Sequence, residues 1–389
     1  MIDKIKILAA QYLDDVIKIR RHIHKHPELS FNEYETSNYI KSILKSWNIP
    51  FIDNIANTGI MVIIRGINPD SKTLALRADF DALPILEQND VEYCSVNMGV
   101  MHACGHDAHT ASLLGTLKIL NEIKDEWEGS VKFIFQPAEE MLPGGAKQMI
   151  DEGVLKNPQV NSMLAQHVFP DLEVGKVGFC PGKYMASTDE LYVKVKGKGG
   201  HAALPEKYNN PIIASARLIS LLDDHFSMYK SNEVVFAIGC FESLGSTNII
   251  PNCSYLKGTL RVLDENLRNQ LHEEIITLSD KIAQDYNINI EFDIRNGYPC
   301  LINDKNLTKS LINCAKEFLG DDNVVILPVR MTAEDFAYYT QEVPSCFYRL
   351  GTLNVDKGIT NGLHTPLFDI DEDALEIGMG LMAYLTVSS

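Results

Sequence analysis

The ten residues MHACGHDAHT, at positions 101–110, combine three histidines with one cysteine and one aspartate. Imidazole nitrogens and a thiolate sulfur are the ligands that zinc and similar borderline metal ions prefer. Cys104 and His106 stand two residues apart, so an extended or turning backbone lets both side chains reach one small volume. The segment therefore predicts a metal site just before, or at the first turn of, the helix expected over Ala108–Ile123.

The segment QPAEE follows an apolar run and ends in two adjacent carboxylates, Glu139 and Glu140. Neighbouring side chains of an extended segment point to opposite sides, so one carboxylate can bind a metal ion while the other faces solvent or substrate. A metal ion lowers the pKa of a water molecule to about 7, and a carboxylate beside it can accept the proton. The pair predicts hydrolysis of a carbonyl derivative; the alternative is an ordinary exposed pair of glutamates.

Two single histidines, His167 and His364, each follow a predicted strand. One histidine alone is more often structural than metal-bound, because imidazole has several ordinary roles. The two histidines are informative only together with the other motifs. They complete a set of five candidate ligands, enough for two metal ions with open positions for water. The five candidates are Cys104, His106, Glu140, His167 and His364.

The segment RADFDALP places Asp79 and Asp81 two residues apart, on one face of an extended chain. Either carboxylate could bind a metal ion, or accept a hydrogen bond from a metal-bound histidine. For Asp81 we favour a supporting or acid–base role. For Asp79, capping of the next turn is a credible alternative.

Three weaker candidates lie in the middle of the chain: His201 in GKGGHAALP, Asn248 in STNIIPN and Arg261 in GTLR. Histidine and amide side chains can donate hydrogen bonds to a developing oxyanion. Arginine suits a substrate carboxylate because its planar fork binds both oxygens. For any one of the three, ordinary polarity of a surface loop is the more frequent explanation.

Short apolar runs alternate with helical patterns in the first and last parts of the chain. Strands are expected at 59–64, 74–76, 131–135, 163–165 and 346–350. This alternation predicts an α/β domain with a mostly parallel central sheet. Ligands bind beyond the carboxyl ends of strands in such sheets. Because the polar motifs follow those ends, we expect them to form one shared site.

The middle of the chain has a different pattern, with strands and helices in the order βαββαβ, which is the ferredoxin-like unit. We expect this unit at residues 184–294, inserted into a discontinuous catalytic domain formed by residues 1–183 and 295–389. An inserted domain is a candidate lid or dimerisation element.

Composition limits the classes of partner. The 389 residues carry a formal net charge of −17, which argues against a nucleic-acid partner and offers no basic surface to anionic lipid. No run approaches the roughly eighteen apolar residues of a membrane span, and the N-terminus lacks the apolar core of a signal peptide. A cytoplasmic protein with its eight cysteines reduced is the expectation.

Taken together, the motifs resemble the zinc-type aminoacylase and carboxypeptidase clan, in particular its hippurate hydrolase and auxin-conjugate hydrolase branch. The resemblance is carried by RADFDALP, HACGHDAHT, FQPAEE, GKGGHAALP, STNIIPN and GLHTP, and extends from HKHPELSFNE to the last histidine. It implies a metal-binding α/β domain with an inserted ferredoxin-like lid.

The resemblance also implies roles for the residues. The five candidate ligands would hold one or two divalent ions, zinc or else manganese, cobalt or nickel. Glu139 would be the general base, with Asp81 supporting it, and His102 and His109 would be structural. His201 would reach the substrate carbonyl, in cis or from a partner subunit. The substrate-binding set is completed by Asn248 and Arg261, near the substrate carboxylate.

The expected function is that of a metal-dependent amidohydrolase of N-acyl-L-amino acids, of the hippurate or N-acetyl-amino acid type. A homodimer or higher homo-oligomer through the lid domain is expected. The alternatives are a dipeptidase or carboxypeptidase, an N-acetyl-diaminopimelate deacetylase, and a metal-binding scaffold or sensor without catalysis. Such a scaffold has no need to keep Glu139.

Overall fold

The computed structural model describes residues 1–388, and the chain divides into two compact units. The first comprises Met1–Gly182, Ile302–Pro328 and the residues from Asp335 onward, and the second comprises Lys183–Leu301 and Val329–Glu334. The predicted insert, residues 184–294, falls within the long segment of the second unit. Its role as a separate functional domain stays a prediction.

The helices and strands are numbered in chain order. The helices are α1 (Ile2–Lys25), α2 (Tyr34–Ser46), α3 (His106–Glu122), α4 (Gly145–Asp151), α5 (Pro211–Phe226), α6 (Glu265–Tyr286), α7 (Lys305–Leu319), α8 (Ala337–Glu342) and α9 (Ala374–Ser388). The strands are β1 (Phe51–Ile55), β2 (Gly59–Arg65), β3 (Thr73–Asp79), β4 (Ser130–Gln136), β5 (Ser162–Glu173), β6 (Val177–Phe179), β7 (Gly182–Met185), β8 (Asp189–Lys196), β9 (Gly200–His201), β10 (Val234–Glu242), β11 (Ile249–Ile250), β12 (Cys253–Val262), β13 (Asn289–Asn296), β14 (Leu301–Asn303), β15 (Val324–Ile326) and β16 (Ser345–Leu353).

The first unit contains an eight-stranded sheet in the order β1-β2-β4-β3-β5-β16-β6-β15. The four central strands, β4, β3, β5 and β16, run parallel to their neighbours within that group. The pairs β1–β2, β2–β4 and β6–β16 are antiparallel. The outermost pair, β6–β15, is again parallel. The fold is therefore mixed α/β, and the predicted parallel pairing is correct for the centre and for β6–β15 and wrong for three flanking pairs.

A short connection explains one antiparallel flank. Strand β1 ends at Ile55 and β2 begins at Gly59, so only residues 56–58 join them. Ala56 and Asn57 both have a positive φ, which closes this tight turn. Two strands joined by so few residues run antiparallel, because a parallel pair needs a long crossover.

Helices α1, α3 and α9 pack against one another, and α3 and α9 also pack against the sheet. Fourteen of the seventeen residues of α3 are buried, including small polar ones. A helix that is apolar nearly all round belongs in the core of a domain. The first turn of α3, which carries part of the predicted metal motif, is thus anchored in the core.

The second unit contains a four-stranded antiparallel sheet in the order β10-β12-β8-β13. Along the chain its main elements follow the order β8, α5, β10, β12, α6 and β13. In β8, alternate residues are buried in a separate apolar core, namely Leu191, Val193 and Val195. The period of two follows from the pleat of a sheet covered on one face.

Within residues 1–388, no helix is both long enough and apolar enough to cross a membrane.

We expect the buried ion pair between Arg268 and Asp189 to stabilise the second unit. The Asp189 carboxylate accepts hydrogen bonds from Arg268 Nε at 3.0 Å and from its Nη2 at 2.5 Å. Arg268→Met leaves this buried carboxylate without its arginine, so the free energy of unfolding should fall by about 3–5 kcal/mol. Urea unfolding of the whole chain measures the change.

Arg295→Met is the matched control. Arg295 pairs with Asp293 at 2.9 Å, but both side chains are 57% exposed. Its loss should cost less than about 1 kcal/mol. Equal losses for the two variants would contradict the stabilising role of the buried pair.

Candidate metal centre

The candidate ligands lie where elements of the first unit begin or end. His106 is the first residue of α3, and Glu140 follows the end of β4 by four residues. His364 lies between β16 and α9 in the left-handed region, with φ +59°. His167 lies inside β5, which corrects the prediction that it follows a strand end, because β5 continues its pairing with β16 beyond this residue.

Gly105 makes the turn between the two ligands of the histidine-rich motif. Its φ is +85°, in the left-handed region that only glycine adopts freely. A Cβ at this position would lie 2.4 Å from Val168 Cγ2, closer than atoms can pack. The glycine therefore lets the chain turn sharply into α3 while Cys104 and His106 face the same volume.

The five predicted ligands and Glu139 converge. Their donor atoms form overlapping groups, within each of which every atom lies within 4.8 Å of the others. Three groups contain the predicted residues: Cys104 with His106 and His167, Cys104 with Glu140 and His364, and His106 with Glu139 and Glu140. His106 also forms a group of this kind with Asp79 and His109. Because the first two groups share Cys104, the set is a single cluster. Nitrogen, sulfur and carboxylate oxygen are donors that suit a borderline divalent ion.

One candidate ligand atom of the cluster has no hydrogen-bond partner within residues 1–388. His106 Nε2 is buried and makes no hydrogen bond to any atom of residues 1–388. Its other nitrogen, Nδ1, donates to the Asp81 backbone oxygen at 2.9 Å. In the neutral ring, a proton on Nδ1 leaves the lone pair on Nε2, which is the form of histidine that binds a metal ion. Without an ion, the nearby Asp79 and Cys104 raise the pKa of His106 although burial opposes the rise. The site residues therefore fit a divalent cation.

Asp81 connects the two halves of the cluster. Its Oδ1 lies 3.2 Å from His106 Nδ1 and accepts the Glu139 amide at 3.0 Å. Its Oδ2 accepts the Glu140 amide at 3.0 Å and the Ser30 hydroxyl at 2.6 Å. These bonds lower the pKa of Asp81 against the effect of burial. The carboxylate orients a candidate ligand and the glutamate pair together.

The electrostatics of the cluster favour a positive charge. Burial and the nearby Glu140 carboxylate raise the pKa of the Cys104 thiol. Hydrogen bonds to Cys104 and Glu140 raise the pKa of His364 to about 10, although burial opposes the rise. His364 Nε2 lies 3.2 Å from Glu140 Oε1. The acidic groups thus favour positive charge in this volume, which a proton on His364 or a bound cation can supply.

The Glu139 side chain is 7% exposed and lies beside the cluster. Its Oε1 accepts the backbone amide of Asp335 at 3.4 Å. Asp335 is in turn fixed by Arg77 Nη2 at 2.7 Å and by the Gln136 side chain. Arg77 and Asp335 were not predicted as site residues, since no local pattern relates positions that lie so far apart in the chain.

Asp79 and His109 belong to a supporting network. Asp79 forms an ion pair with Arg77 and accepts His109 Nδ1 at 2.6 Å. His109 Nε2 accepts the Val168 amide at 2.9 Å, so both ring nitrogens of His109 are used. This histidine therefore ties α3 to β5 beside His167. Its arrangement agrees with the structural role predicted for it.

His102 is buried, and neither of its ring nitrogens forms a hydrogen bond within residues 1–388. Burial lowers its pKa to about 3, so the ring is neutral at physiological pH. The donor groups that could hold a metal ion do not include it. Its structural role stays a prediction.

The three predicted substrate-binding residues lie in the second unit. His201 is exposed at the end of β9, and the next residue, Ala202, donates its amide to the Asn248 backbone oxygen at 3.1 Å. The structure thus brings His201 and Asn248 close together. Arg261 is on another strand, β12, where its Nη1 donates to the Met331 backbone oxygen at 3.1 Å.

A buried charge network behind the cluster was not predicted. Arg20 donates to Asp107 at 2.7 Å and to Asp369 at 2.6 Å. His24 Nδ1 lies 2.8 Å from Asp107 and its Nε2 lies 3.1 Å from Glu87. The network links α1 to the residue after His106. Its one sequence signal is that Arg20 continues the apolar stripe of α1, four residues after Val16.

The chain belongs to peptidase family M20/M25/M40, whose model matches residues 75–387. It is 36% identical to the N-acetylcysteine deacetylase of Bacillus subtilis, with 96% of each chain covered. It is 37% identical to the N-acyl-L-amino acid amidohydrolase of Geobacillus stearothermophilus, over 77% of this chain and 81% of that protein. It is 34% identical to thermostable carboxypeptidase 2 of Saccharolobus solfataricus, over 100% and 98%.

A solved structure of the same family has the same fold. The YXEP protein of Bacillus subtilis, described as a dinuclear metal-binding peptidase, is 34% identical and has a TM-score of 0.83. The match covers 97% of this chain and 98% of that one. Family membership makes the present chain a hydrolytic enzyme, as the motifs predicted.

We expect the stability of the metal-free protein to depend on the proton of His24. Burial and the nearby Arg20 guanidinium lower the pKa of His24, but Asp107 and Glu87 outweigh them and raise it above its ordinary value. A raised pKa means that the folded state holds the proton more tightly than the unfolded chain. The stabilisation is therefore complete below about pH 6.5 and is lost as pH rises through the folded-state pKa.

Urea unfolding of the wild type and of His24→Gln, both with chelator, measures this effect. The difference in free energy of unfolding should shrink from about pH 6 to about pH 9. A difference that stays constant or grows over this range would refute the role of the proton.

Proposed function

We propose that the protein is a metal-dependent amidohydrolase that cleaves the amide bond of N-acyl-L-amino acids. The convergence of five metal-type donors with a buried carboxylate, Glu139, carries the proposal. The names of the relatives agree with it, since they include an N-acetylcysteine deacetylase and an N-acyl-L-amino acid amidohydrolase. The products are a carboxylate and a free amine, and one water molecule is consumed.

The proposed ligands are Cys104, His106, Glu140, His167 and His364. A divalent ion held by them would polarise the amide carbonyl and lower the pKa of the attacking water. Two groups of donors share Cys104, which supports two ions per chain. The related YXEP protein is described as dinuclear, which favours the same count here. Zinc, manganese, cobalt and nickel are all compatible with this donor set.

Glu139 is proposed as the general base. It would accept a proton from the attacking water and deliver it to the nitrogen of the leaving amine. The amide of Asp335 donates to Glu139 Oε1, which directs the other oxygen towards the reactants. Asp81 is proposed to support the reaction by holding His106 and the Glu139 backbone in place.

The second unit is proposed to be a ferredoxin-like lid and dimerisation domain. Its strand order and its two helices support the first assignment. His201 and Asn248 would donate hydrogen bonds to the substrate carbonyl and carboxylate, and Arg261 would bind the carboxylate. His201 would act on the substrate of its own subunit or on that of a partner subunit. On the basis of the sequence, we also propose a homodimer or higher homo-oligomer through this domain and a cytoplasmic location.

A carboxypeptidase or dipeptidase is the second candidate. The same chemistry hydrolyses a peptide bond, and one relative at 34% identity is named a carboxypeptidase. The two functions differ in whether the acyl group carries a free amine. N-acetyl-diaminopimelate deacetylation is a narrower variant, which needs a counter-charge for a second amino-carboxyl group.

Glu139→Gln should lower kcat by about 10²–10⁴-fold, because the amide cannot accept the proton. The metal content, measured by plasma mass spectrometry, should stay that of the wild type. Glu152→Gln is the control, since this exposed glutamate follows α4 in the same region and should leave kcat unchanged. Near-wild-type turnover of the metal-loaded Glu139→Gln variant would remove Glu139 from the mechanism.

Dialysis against a chelator should abolish hydrolysis, and added divalent ions should restore it at two ions per chain. The assay compares N-acetyl and N-benzoyl amino acids with dipeptides under each metal. The proposed function predicts a higher kcat/KM for the N-acyl amino acids. Preference for free dipeptides would favour the peptidase alternative, and full activity of verified metal-free protein would refute the metal role.

A further inference from the structure

The glutamate at the start of α2 is unusual for its position. Glu33 is the N-cap residue of α2, a place where a side chain ordinarily accepts an amide of the first turn. The Glu33 carboxylate makes no such bond. Glu28 caps the helix instead, since its carboxylate accepts hydrogen bonds from the amides of Glu35 at 3.2 Å and Thr36 at 2.8 Å. The side chain of Glu33 is thus free of the helix and serves another segment.

That other segment is the turn before the general base. Glu33 Oε1 accepts the amide of Ala138 at 3.0 Å and the amide of Phe31 at 2.8 Å. Both residues have positive φ, +53° for Ala138 and +65° for Phe31. Residues other than glycine adopt this conformation at a cost, and they keep it only where their surroundings enforce it. One carboxylate oxygen therefore holds two strained backbone positions.

Three successive amides of the turn point at buried carboxylates. The Ala138 amide donates to Glu33, and the next two, of Glu139 and Glu140, donate to Asp81. Successive amides that converge in this way form a concave anion site, which requires a left-handed residue and is neither helix nor strand. Because the backbone faces the two carboxylates, the side chains of Glu139 and Glu140 are directed to His106.

The Glu33 residue is completely buried. Thr58 Oγ1 donates to Glu33 Oε2 at 2.9 Å, which satisfies the second oxygen. Burial and the nearby Asp81 raise the pKa of Glu33 to about 7. The raised pKa shows that burial of this acid is unfavourable. Because both of its oxygens bond groups outside α2, we infer a role beyond the stability of that helix.

We propose that Glu33 is a positioning residue for Glu139, whose carboxylate holds the Ala138 backbone in the left-handed conformation that presents the two glutamates to the reaction. The inference rests on the proposed function, since it needs Glu139 to be the base. It also gives a role to the N-terminal segment HKHPELSFNE, which ends at Glu33.

The first test compares variants that separate geometry from charge. Glu33→Gln keeps an acceptor oxygen at the same reach, so its kcat should stay within about 3-fold of the wild type. Glu33→Asp keeps the charge but is one methylene shorter, so its kcat should fall by about 10- to 100-fold with little change in KM. Both are assayed as folded, metal-loaded protein on N-benzoylglycine or the best N-acetyl amino acid. Equal activity of the two variants would overturn the inference.

A double-variant cycle tests whether Glu33 acts through Glu139. In the Glu139→Gln background there is no base to position, so adding Glu33→Asp should cause no further loss of kcat. A further loss equal to that in the wild-type background would overturn the inference. If Glu139→Gln alone keeps wild-type kcat, the proposed function fails first, and the two failures are thereby distinguished.

Glu28→Gln is the matched control. It removes a carboxylate from the same segment that caps α2 but does not touch the turn at Ala138. The urea midpoint should fall while kcat stays at the wild-type value. A loss of kcat as large as that of Glu33→Asp would show that any weakening of the segment suffices, and would overturn the specific role of Glu33.

Discussion

The carboxylate of Asp81 is the interaction on which the rest of the site depends. It is completely enclosed, and its two oxygens accept hydrogen bonds from a histidine at the start of α3, from two amides after β4 and from a serine before α2. A buried charge is tolerated only when such bonds replace the water it has lost. The three segments must therefore meet around it, and their meeting point is where the donor groups of the cluster converge.

The architecture keeps this point rigid. Strands β3 and β4 are parallel neighbours at the centre of the sheet, so their carboxyl ends deliver Asp79, Asp81 and the glutamate pair to one edge. Helix α3 enters the core immediately after the glycine turn and cannot shift without breaking its packing. The charge network around Arg20 and Asp107 fixes the same turn from behind. The cluster thus combines a strained backbone with rigid neighbouring elements. This arrangement keeps the candidate ligand atoms in place before any ligand binds.

Most of the chemistry could be predicted from local sequence. Cys104 and His106 lie within three residues, and Glu139 and Glu140 are adjacent, so their types and spacing are visible without a fold. The supporting groups were harder to find. Glu33, Arg77 and Asp335 act on backbone amides or charges more than fifty residues away in the chain, and nothing in their own neighbourhood marks the partner. Strand β2 was predicted, but its antiparallel direction was missed, because an apolar run shows that a strand exists and not which way its neighbour runs.

The sequence by itself determined the residue types of the site, the two patterns of strands and helices, and the family. These depend on composition, periodicity and spacing over short distances. Tertiary structure alone decided that the candidate ligand atoms form one cluster through Cys104 and that His109 uses both ring nitrogens to bond Asp79 and β5. It also decided that the Glu33 side chain bonds the turn at Ala138 and not its own helix. The physical reason is that ligand geometry and hydrogen-bond partnership are set by distances between segments. Those distances come from packing the whole sheet and its helices, which no local pattern encodes.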